Sequence, residues 1–227
     1  DAGHTRIYAW NGTAWVQRGN DIDADQAEDN SGHSVSLSSD GSVVAIGARQ
    51  ADGNGEDSGL TRIYAWNGTA WVQRGSDIDG EAAGDKSGFS VSLSSDGNTI
   101  AIGATSNDNG NGANSGHTRI YDWNGTAWVQ RGTAIDGEAI NDGSGRYVSL
   151  SSDGDVVAIG ATGNNGSSGH TRIYAWNGTA WVQRGNDIDA EAAGDWSGFS
   201  ISLSNDGTIV AIGAPLNDGN GENSGHT

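Results

Sequence analysis

The chain contains no cysteine and no methionine among its 227 residues. Without cysteine, neither a disulfide nor a thiolate site can form. No apolar run approaches the roughly 20 residues that a helix needs to span a bilayer, so membrane insertion is not expected. Because no secretory leader pattern and no initiating methionine are present, we expect a processed product or a portion of a longer chain.

Basic residues are also scarce. Lys86 is the only lysine, and the 11 basic residues stand against 29 carboxylates, which gives a formal charge of −18. Such a charge repels nucleic acid and anionic membranes, so neither is an expected partner. The carboxylates allow two interpretations, a solvated surface or a set of oxygen ligands for cations.

A repeat of nearly constant length fills the chain. The phrase TRIYAWNGTAWVQRG, once with an aspartate in place of its first alanine, begins at four places: Thr5, Thr61, Thr118 and Thr171. The spacings are 56, 57 and 53 residues, and a further 56 reach Thr227. Regular arrays of this kind are typical of folds built from stacked like units. We therefore predict a single repeat domain over 1–227, with units of about 5–60, 61–117, 118–170 and 171–227.

Two hairpins are predicted in each unit. In the first hairpin, Asn11-Gly12 favours a two-residue type I′ turn, which would place Tyr8 opposite Trp15. The second hairpin joins residues 34–38 to the apolar run 43–48 through a turn at Asp40-Gly41. A near-continuous apolar strand of this kind predicts cover on both faces.

Four antiparallel strands per unit without helical periodicity predict an all-β protein, a β-propeller of four four-stranded blades. The small residues of the second hairpin suit positions near the axis, and the Trp and Tyr of the first suit the outside. Because the chain opens with outer strands and closes with inner strands, we expect these to pair and close the ring. A β-solenoid is the alternative, which would need shorter repeats and parallel rungs.

The inner hairpins resemble the FG-GAP repeat of integrin α-subunit propellers and their bacterial relatives. Gly88-Phe89-Ser90 and Gly198-Phe199-Ser200 stand where that family has Phe-Gly, and Gly213-Ala214-Pro215 supplies the closing motif. His33 and Arg146 replace the phenylalanine in the other two units. The resemblance implies an extracellular propeller that binds proteins or glycans, often with calcium between the two inner strands. The corresponding turn, Ser38 to Gly41, is too short to enclose an ion, so that calcium site is not expected there.

A different pair of loops predicts a metal site. Oxygen-bearing residues alternate with glycine in both loops, as they do in calcium-binding loops. The candidate ligands are Asp52, Asn54 and Glu56 in one loop, and Asp218, Asn220 and Glu222 in the other. We hypothesise weak calcium binding there, and a flexible polar loop is the alternative. The acidic linkers that carry Asp85 and Asp195 are a second choice for cations, or solvated connections.

One position varies while its surroundings repeat. Trp196 and Lys86 occupy it in two units, and Asn30 and Gly143 occupy it in the others. We therefore take Trp196 and Lys86 as candidate ligand-binding residues. The repeated tryptophans of the outer hairpins are interpreted as core rather than as sugar platforms. The repeated histidine before each TRIY threonine is interpreted as a packing or hydrogen-bonding residue, because Leu60 replaces it once.

No non-repeated cluster of acid, base or metal-binding groups marks a catalytic centre. We expect no enzyme activity. The sequence favours an extracellular or cell-surface propeller that acts in binding or adhesion, with a protein or glycan ligand. The alternative is a structural component that assembles with copies of itself into a filament, coat or appendage.

Overall fold

A computed structural model describes residues 2–219, 221 and 223–227. The described residues are almost entirely strands and turns, as the sequence predicts. The first strands are β1 (His4–Thr5), β2 (Tyr8–Trp10), β3 (Trp15–Gln17), β4 (Ile22–Asp23), β5 (Ser31–Leu37) and β6 (Val43–Ala48). Next come β7 (Leu60–Trp66), β8 (Trp71–Gln73), β9 (Ile78–Asp79), β10 (Ser87–Leu93) and β11 (Thr99–Ala104).

The second half of the chain repeats the same order. Its strands are β12 (His117–Trp123), β13 (Trp128–Gln130), β14 (Ile135–Asp136), β15 (Tyr147–Leu150), β16 (Val156–Ala161), β17 (His170–Trp176), β18 (Trp181–Gln183), β19 (Ile188–Asp189), β20 (Ser200–Leu203) and β21 (Val210–Gly213). A single turn assigned as helix, α1 (Asn164–Ser167), contains three residues with positive φ, Asn165, Gly166 and Ser167.

Three antiparallel sheets of five strands form the body of the protein. Their strand orders are β5-β6-β7-β8, β10-β11-β12-β13 and β15-β16-β17-β18, and a two-residue strand, β9, β14 or β19, pairs with the third strand of each. Each sheet thus joins the inner hairpin of one unit to the outer hairpin that follows it. Each sheet therefore has the four strands predicted for a blade and one additional short strand. The sheets pack against one another in a propeller-like arrangement.

The central strands are buried on both faces, as predicted. Every residue of Val43–Ala48, Thr99–Ala104 and Val156–Ala161 is buried. One core cluster joins Val43 and Ile63 of the first sheet to Val91 and Ile102 of the second. Apolar side chains of neighbouring sheets therefore share a core, and each sheet hides one face against the next.

Serine hydroxyls hold neighbouring inner strands together. Ser36 accepts a hydrogen bond from the amide of Leu93 at 2.9 Å, and Ser92 accepts one from Leu150 at 3.0 Å. Ser34 donates to the carbonyl of Gly88 at 2.8 Å. The alternating serines of the SVSLS strands therefore link one unit to the next, which explains why small polar residues recur there.

The predicted ring closure is not present in this structure. The outer strands β2 and β3 at one end and the inner strands β20 and β21 at the other form separate two-stranded sheets. Ala214 instead pairs with His226, which repeats His4 in sequence and takes the place that His4 would need. The described strands therefore form an open series, and the count of four closed blades is not seen.

The predicted register of the outer hairpins is wrong by two residues. Trp10 pairs with Trp15, and Tyr8 pairs with Gln17, so the turn has four residues instead of two. Asn11 explains the difference, because its side-chain oxygen accepts hydrogen bonds from the amides of Thr13 and Ala14, both at 2.9 Å. An asparagine that caps the following backbone stabilises this wider turn.

Candidate functional site

One turn keeps its backbone conformation in all four units while its side chains change. A left-handed residue precedes each inner strand, and the amide three residues later donates to its carbonyl. These residues are Asn30 (φ 60°), Lys86 (φ 56°), Gly143 (φ 61°) and Trp196 (φ 59°). The residues three further on are His33, Phe89, Arg146 and Phe199. We call these eight positions the turn face; there the backbone is constant and the side chains differ.

Trp196 is the most unusual member of the turn face. A bulky residue in the left-handed region is rare and costs on the order of 1 kcal/mol or more. Trp196 stacks on Phe199 with 6.2 Å between ring centroids, and 37% of the residue stays exposed. Phe199 also contacts Tyr147 at 5.0 Å. The sequence-predicted ligand residue therefore stands at the edge of an aromatic cluster.

Lys86, the other predicted ligand residue, lies in the equivalent turn beside Phe89. Phe89 is the centre of a second cluster drawn from three units. The ring of His33 lies edge-on at 4.8 Å, and the guanidinium carbons of Arg49 and Arg146 lie 5.4 and 5.3 Å from the Phe89 centroid. Burial, and then the charges of Arg49 and Arg146, lower the pKa of His33.

The sequence analysis noted His33 and Arg146 only as departures from a motif, and it did not single out Arg49. The signal was nevertheless available. In a chain of near-identical units, the residues that break the repeat are those that duplication does not explain. The structure adds that these departures are neighbours in space, which no spacing in the sequence indicates.

In the loops predicted to bind metal, the candidate ligands make hydrogen bonds to other residues of the chain. Asp52 accepts a hydrogen bond from the amide of Asp57 at 2.9 Å, while the side-chain amide of Asn54 donates to the carbonyl of Gly80 at 2.7 Å. Glu56 is exposed. In the other loop Asp218 accepts a hydrogen bond from the amide of Asn223. Asn220 and Glu222 lie outside the described residues. Calcium binding at these loops stays a prediction.

The acidic linkers are organised by buried carboxylates. Asp85 is 2% exposed, and one of its oxygens accepts hydrogen bonds from the amides of Glu81 and Ala82 and from the side chain of Asn107. Asp195 has the same position and accepts from Ala192 at 3.0 Å. These two carboxylates therefore shape the linkers by hydrogen bonding to the chain itself.

One group of three potential metal ligands occurs among the described residues. Ligand atoms of Glu138, His170 and Asp187 lie within 4.8 Å of one another. Nδ1 of His170 is 3.6 Å from Asp187 and 3.9 Å from Glu138, and Arg172 lies 3.4 Å from Glu138. Burial, with Arg172 as the next cause, lowers the pKa of His170. Because Arg172 already supplies a positive charge to Glu138, this group is an ion-pair network around a packed histidine.

Comparison with known families confirms the resemblance in the inner hairpins. A family model described as FG-GAP repeat matches residues 77–121 and 189–227. These two stretches of the chain are similar to the FG-GAP repeat. Comparison with curated proteins found no match.

Two solved structures are similar to this chain. Hydrazine synthase of Kuenenia stuttgartiensis is 14% identical with a TM-score of 0.51, over 81% of this chain and 44% of that one. TolB from Acinetobacter baumannii is 14% identical with a TM-score of 0.44, over 79% of this chain and 37% of that one. This chain thus spans less than half of either relative. The likeness to the first supports the all-β propeller-like fold alone. Within the described residues, no helix has the length and apolar character to cross a bilayer.

Proposed function

We propose that the protein is a non-catalytic binding propeller, extracellular or on a cell surface, that takes a protein or glycan ligand in binding or adhesion. One observation carries the proposal: on the turn face, a backbone of the same conformation carries different side chains in different units. A constant backbone with variable, partly exposed side chains is the arrangement of a recognition surface. The proposed location follows from the resemblance to FG-GAP repeats alone.

Trp196 supports a recognition role more than a packing role. A structural residue at a left-handed position would be glycine or asparagine, as Gly143 and Asn30 are in other units. The indole instead accepts backbone strain and keeps part of its surface exposed. Strain of this kind persists at sites that use the strained side chain.

Ligand arrays test this proposal. The chain, labelled away from the turn face, is applied to glycan and extracellular-protein arrays beside three variants. We expect a ligand whose binding falls at least tenfold in Trp196→Gly and in Lys86→Gly, since glycine suits both backbones. Trp15→Ala is the control, because Trp15 is 68% exposed and lies in an outer hairpin. Equal loss in the control, or hydrolysis of the arrayed glycans, would contradict the proposal.

A specific observation favours a second function, structural self-assembly. The indole N–H of Trp71 bonds to the carbonyl of Arg18, and the same contact joins Trp128 to Arg74 and Trp181 to Arg131. Among the described residues, Trp15 and Arg184 have no counterpart in this contact. We call this contact between outer hairpins the joint. One end of the series therefore offers the indole donor of a joint at Trp15, and the other end offers the carbonyl acceptor at Arg184.

The unpaired ends also indicate how two copies of the chain would associate. Strand β21 leaves its outer edge unpaired from Val210 to Gly213, and β2–β3 is an outer hairpin without inner strands. A second copy supplies the missing half in a head-to-tail contact, which builds rings or filaments. Native mass at micromolar concentration, with and without calcium, checks this. A dimer or larger species favours assembly, and a monomer at every concentration argues against it.

A further inference from the structure

The basic residues that break the repeat converge on one aromatic ring. Eight of the ten arginines occupy the two arginine positions of the repeated phrase: Arg6, Arg18, Arg62, Arg74, Arg119, Arg131, Arg172 and Arg184. Four of the five histidines also recur at one position. The basic residues left over are His33, Arg49, Lys86 and Arg146. Three of them contact Phe89, and the carbonyl of Lys86 accepts a hydrogen bond from its amide.

The arginines of this cluster differ from the repeated ones in their partners. Each repeated arginine donates at least one hydrogen bond, as Arg18 does to Gly41 and Arg119 to Asp79. The side chains of Arg49 and Arg146 make no hydrogen bond and no ion pair with any residue that the structure describes. The Nε atom of each is buried without an acceptor, as it also is in Arg119 and Arg172, but in those two a terminal nitrogen donates to a main-chain carbonyl.

Leaving these two guanidinium groups unpaired costs free energy unless a ligand supplies the missing acceptors. A guanidinium has five donors, and a buried donor without an acceptor loses its hydration without compensation. The two charges also repel each other, because both lie against the same ring. With 29 carboxylates in the chain, an acidic partner for either arginine would have been easy to supply. An oxyanion bound at these guanidinium groups supplies the missing acceptors and offsets the positive charge.

We propose that Arg49 and Arg146 bind the carboxylate of an acidic sugar, a uronic acid in a short oligosaccharide. This inference rests on the proposed binding function and names its ligand class. Guanidinium groups recognise carboxylates through paired, charge-assisted hydrogen bonds. Phe89 holds the two guanidinium groups by cation–π contacts, so they are positioned before the ligand arrives.

The neighbouring aromatic cluster favours a sugar over an acidic peptide. Tyr147 follows Arg146 in the chain and contacts Phe199, on which Trp196 stacks. The exposed part of the Trp196 ring offers a flat apolar surface to the C–H groups of a second sugar ring of the same oligosaccharide. The net charge of −18 opposes a long polyanion, whereas a local cationic pair acts within a screening length of about 8 Å. A short ligand with few carboxylates therefore fits best.

Calorimetric titration of the 227-residue chain tests the inference. The ligands are a galacturonic acid trisaccharide, its methyl ester and a glutamate tripeptide. The variants are Arg49→Thr and Arg146→Phe, which carry residues found at the same positions in other units. Arg6→Thr is the control for net charge, because Arg6 pairs with Asp21 in an outer hairpin. We expect the acid to bind and the ester to bind at least tenfold more weakly. The affinity for the acid should fall at least tenfold in both cluster variants and stay unchanged in the control.

The outcomes separate this inference from the proposed function. Equal binding of the acid and the ester, or full affinity in both cluster variants, overturns the arginine–carboxylate assignment and leaves a binding propeller intact. Equal binding of the glutamate peptide overturns the sugar assignment. No binding of any acidic probe overturns the inference as a whole, while the arrays still decide the proposed function. Should a cluster variant unfold, Arg49→Lys and Arg146→Lys keep the charge, lose the forked donors and are expected to weaken binding similarly.

Discussion

The indole N–H of Trp71 donates a hydrogen bond to the main-chain carbonyl of Arg18 over 2.7 Å, and the guanidinium of Arg18 lies 4.8 Å from the ring centroid of Trp66. Fifty-three residues separate Trp71 from Arg18 in the chain. The contact therefore joins one outer hairpin to the next. Its recurrence between all three successive pairs of outer hairpins makes it the repeated joint of the outer layer.

Removing the indole donor within a joint should destabilise the protein. We expect Trp128→Phe to lower the free energy of unfolding by about 1–3 kcal/mol, because the carbonyl of Arg74 loses its partner and packing is reduced. Urea unfolding measures the change. Trp15→Phe removes the same atoms from an exposed residue that makes no joint within the chain, so in a dilute monomer its effect should stay within about 0.5 kcal/mol. Equal effects in the two variants would show that the joint adds no stability.

Close approach of the inner strands predicts a strict requirement for glycine. A Cβ atom built on Gly103 would lie 1.8 Å from the carbonyl oxygen of Gly145 in the next unit. Gly103→Ala must therefore push two backbones apart, at a cost of about 3 kcal/mol, the upper end for overpacking. At Gly213 the nearest atom is the movable hydroxyl of Ser200, so Gly213→Ala should be mild. Thermal melting of both variants checks this, and comparable losses would contradict the predicted difference.

The buried histidine His117 predicts a loss of stability in acid. Burial, and then Arg119, lowers its pKa to about 4, whereas an unfolded histidine titrates near 6.5. Between these values the unfolded chain binds a proton that the folded chain does not, so stability falls as the pH falls through this window. At 1.36 kcal/mol per unit of pKa, the loss is on the order of 3 kcal/mol by pH 4.

Leucine at this position should remove that dependence. Leu60 occupies the equivalent place in another unit, so His117→Leu is expected to fold. Its free energy of unfolding, measured from pH 7 to pH 4, should change less than that of the unaltered chain. His4→Leu at the exposed copy of the position is the control and should leave the pH profile unchanged. A profile of His117→Leu that parallels the unaltered chain would contradict the assignment.

Calcium is expected to stabilise the protein through the loops that carry Asp52 and Asp218. At a dissociation constant of about 10⁻⁴–10⁻³ M, 10 mM calcium adds about 1–3 kcal/mol. Differential scanning calorimetry with calcium or with a chelator measures the shift. Asp52→Asn keeps an acceptor for the amide of Asp57 and removes the charge, so it should reduce the shift. Asp23→Asn is the charge-matched control, and an unchanged melting temperature in calcium would refute the hypothesis.

Much of the fold is encoded locally, and the sequence predicts it well. The apolar run 43–48 forms a strand buried on both faces, and Asp40-Gly41 turns between the inner strands. The outer turn was mispredicted because two local rules compete at Asn11. Asn-Gly favours a two-residue turn, but the asparagine side chain bonds to two amides further along and selects a wider one. Sequence pattern alone does not rank these two local energies.

The candidate site was predictable only in part. The sequence pointed to Trp196 and Lys86, because both vary within a constant frame. It did not connect them to Arg49, since that contact with Phe89 spans 40 residues of chain and depends on how two sheets pack.

The repeat, the strands, the serine-rich inner hairpins and the excess of negative charge can all be read from the sequence, because period, turn chemistry and composition are properties of neighbouring residues. The open series of sheets, the contacts of Trp and Arg between successive outer hairpins, and the shared ring of the two unpaired arginines became visible in the folded protein. These outcomes depend on distances between residues far apart in the chain, and packing sets such distances.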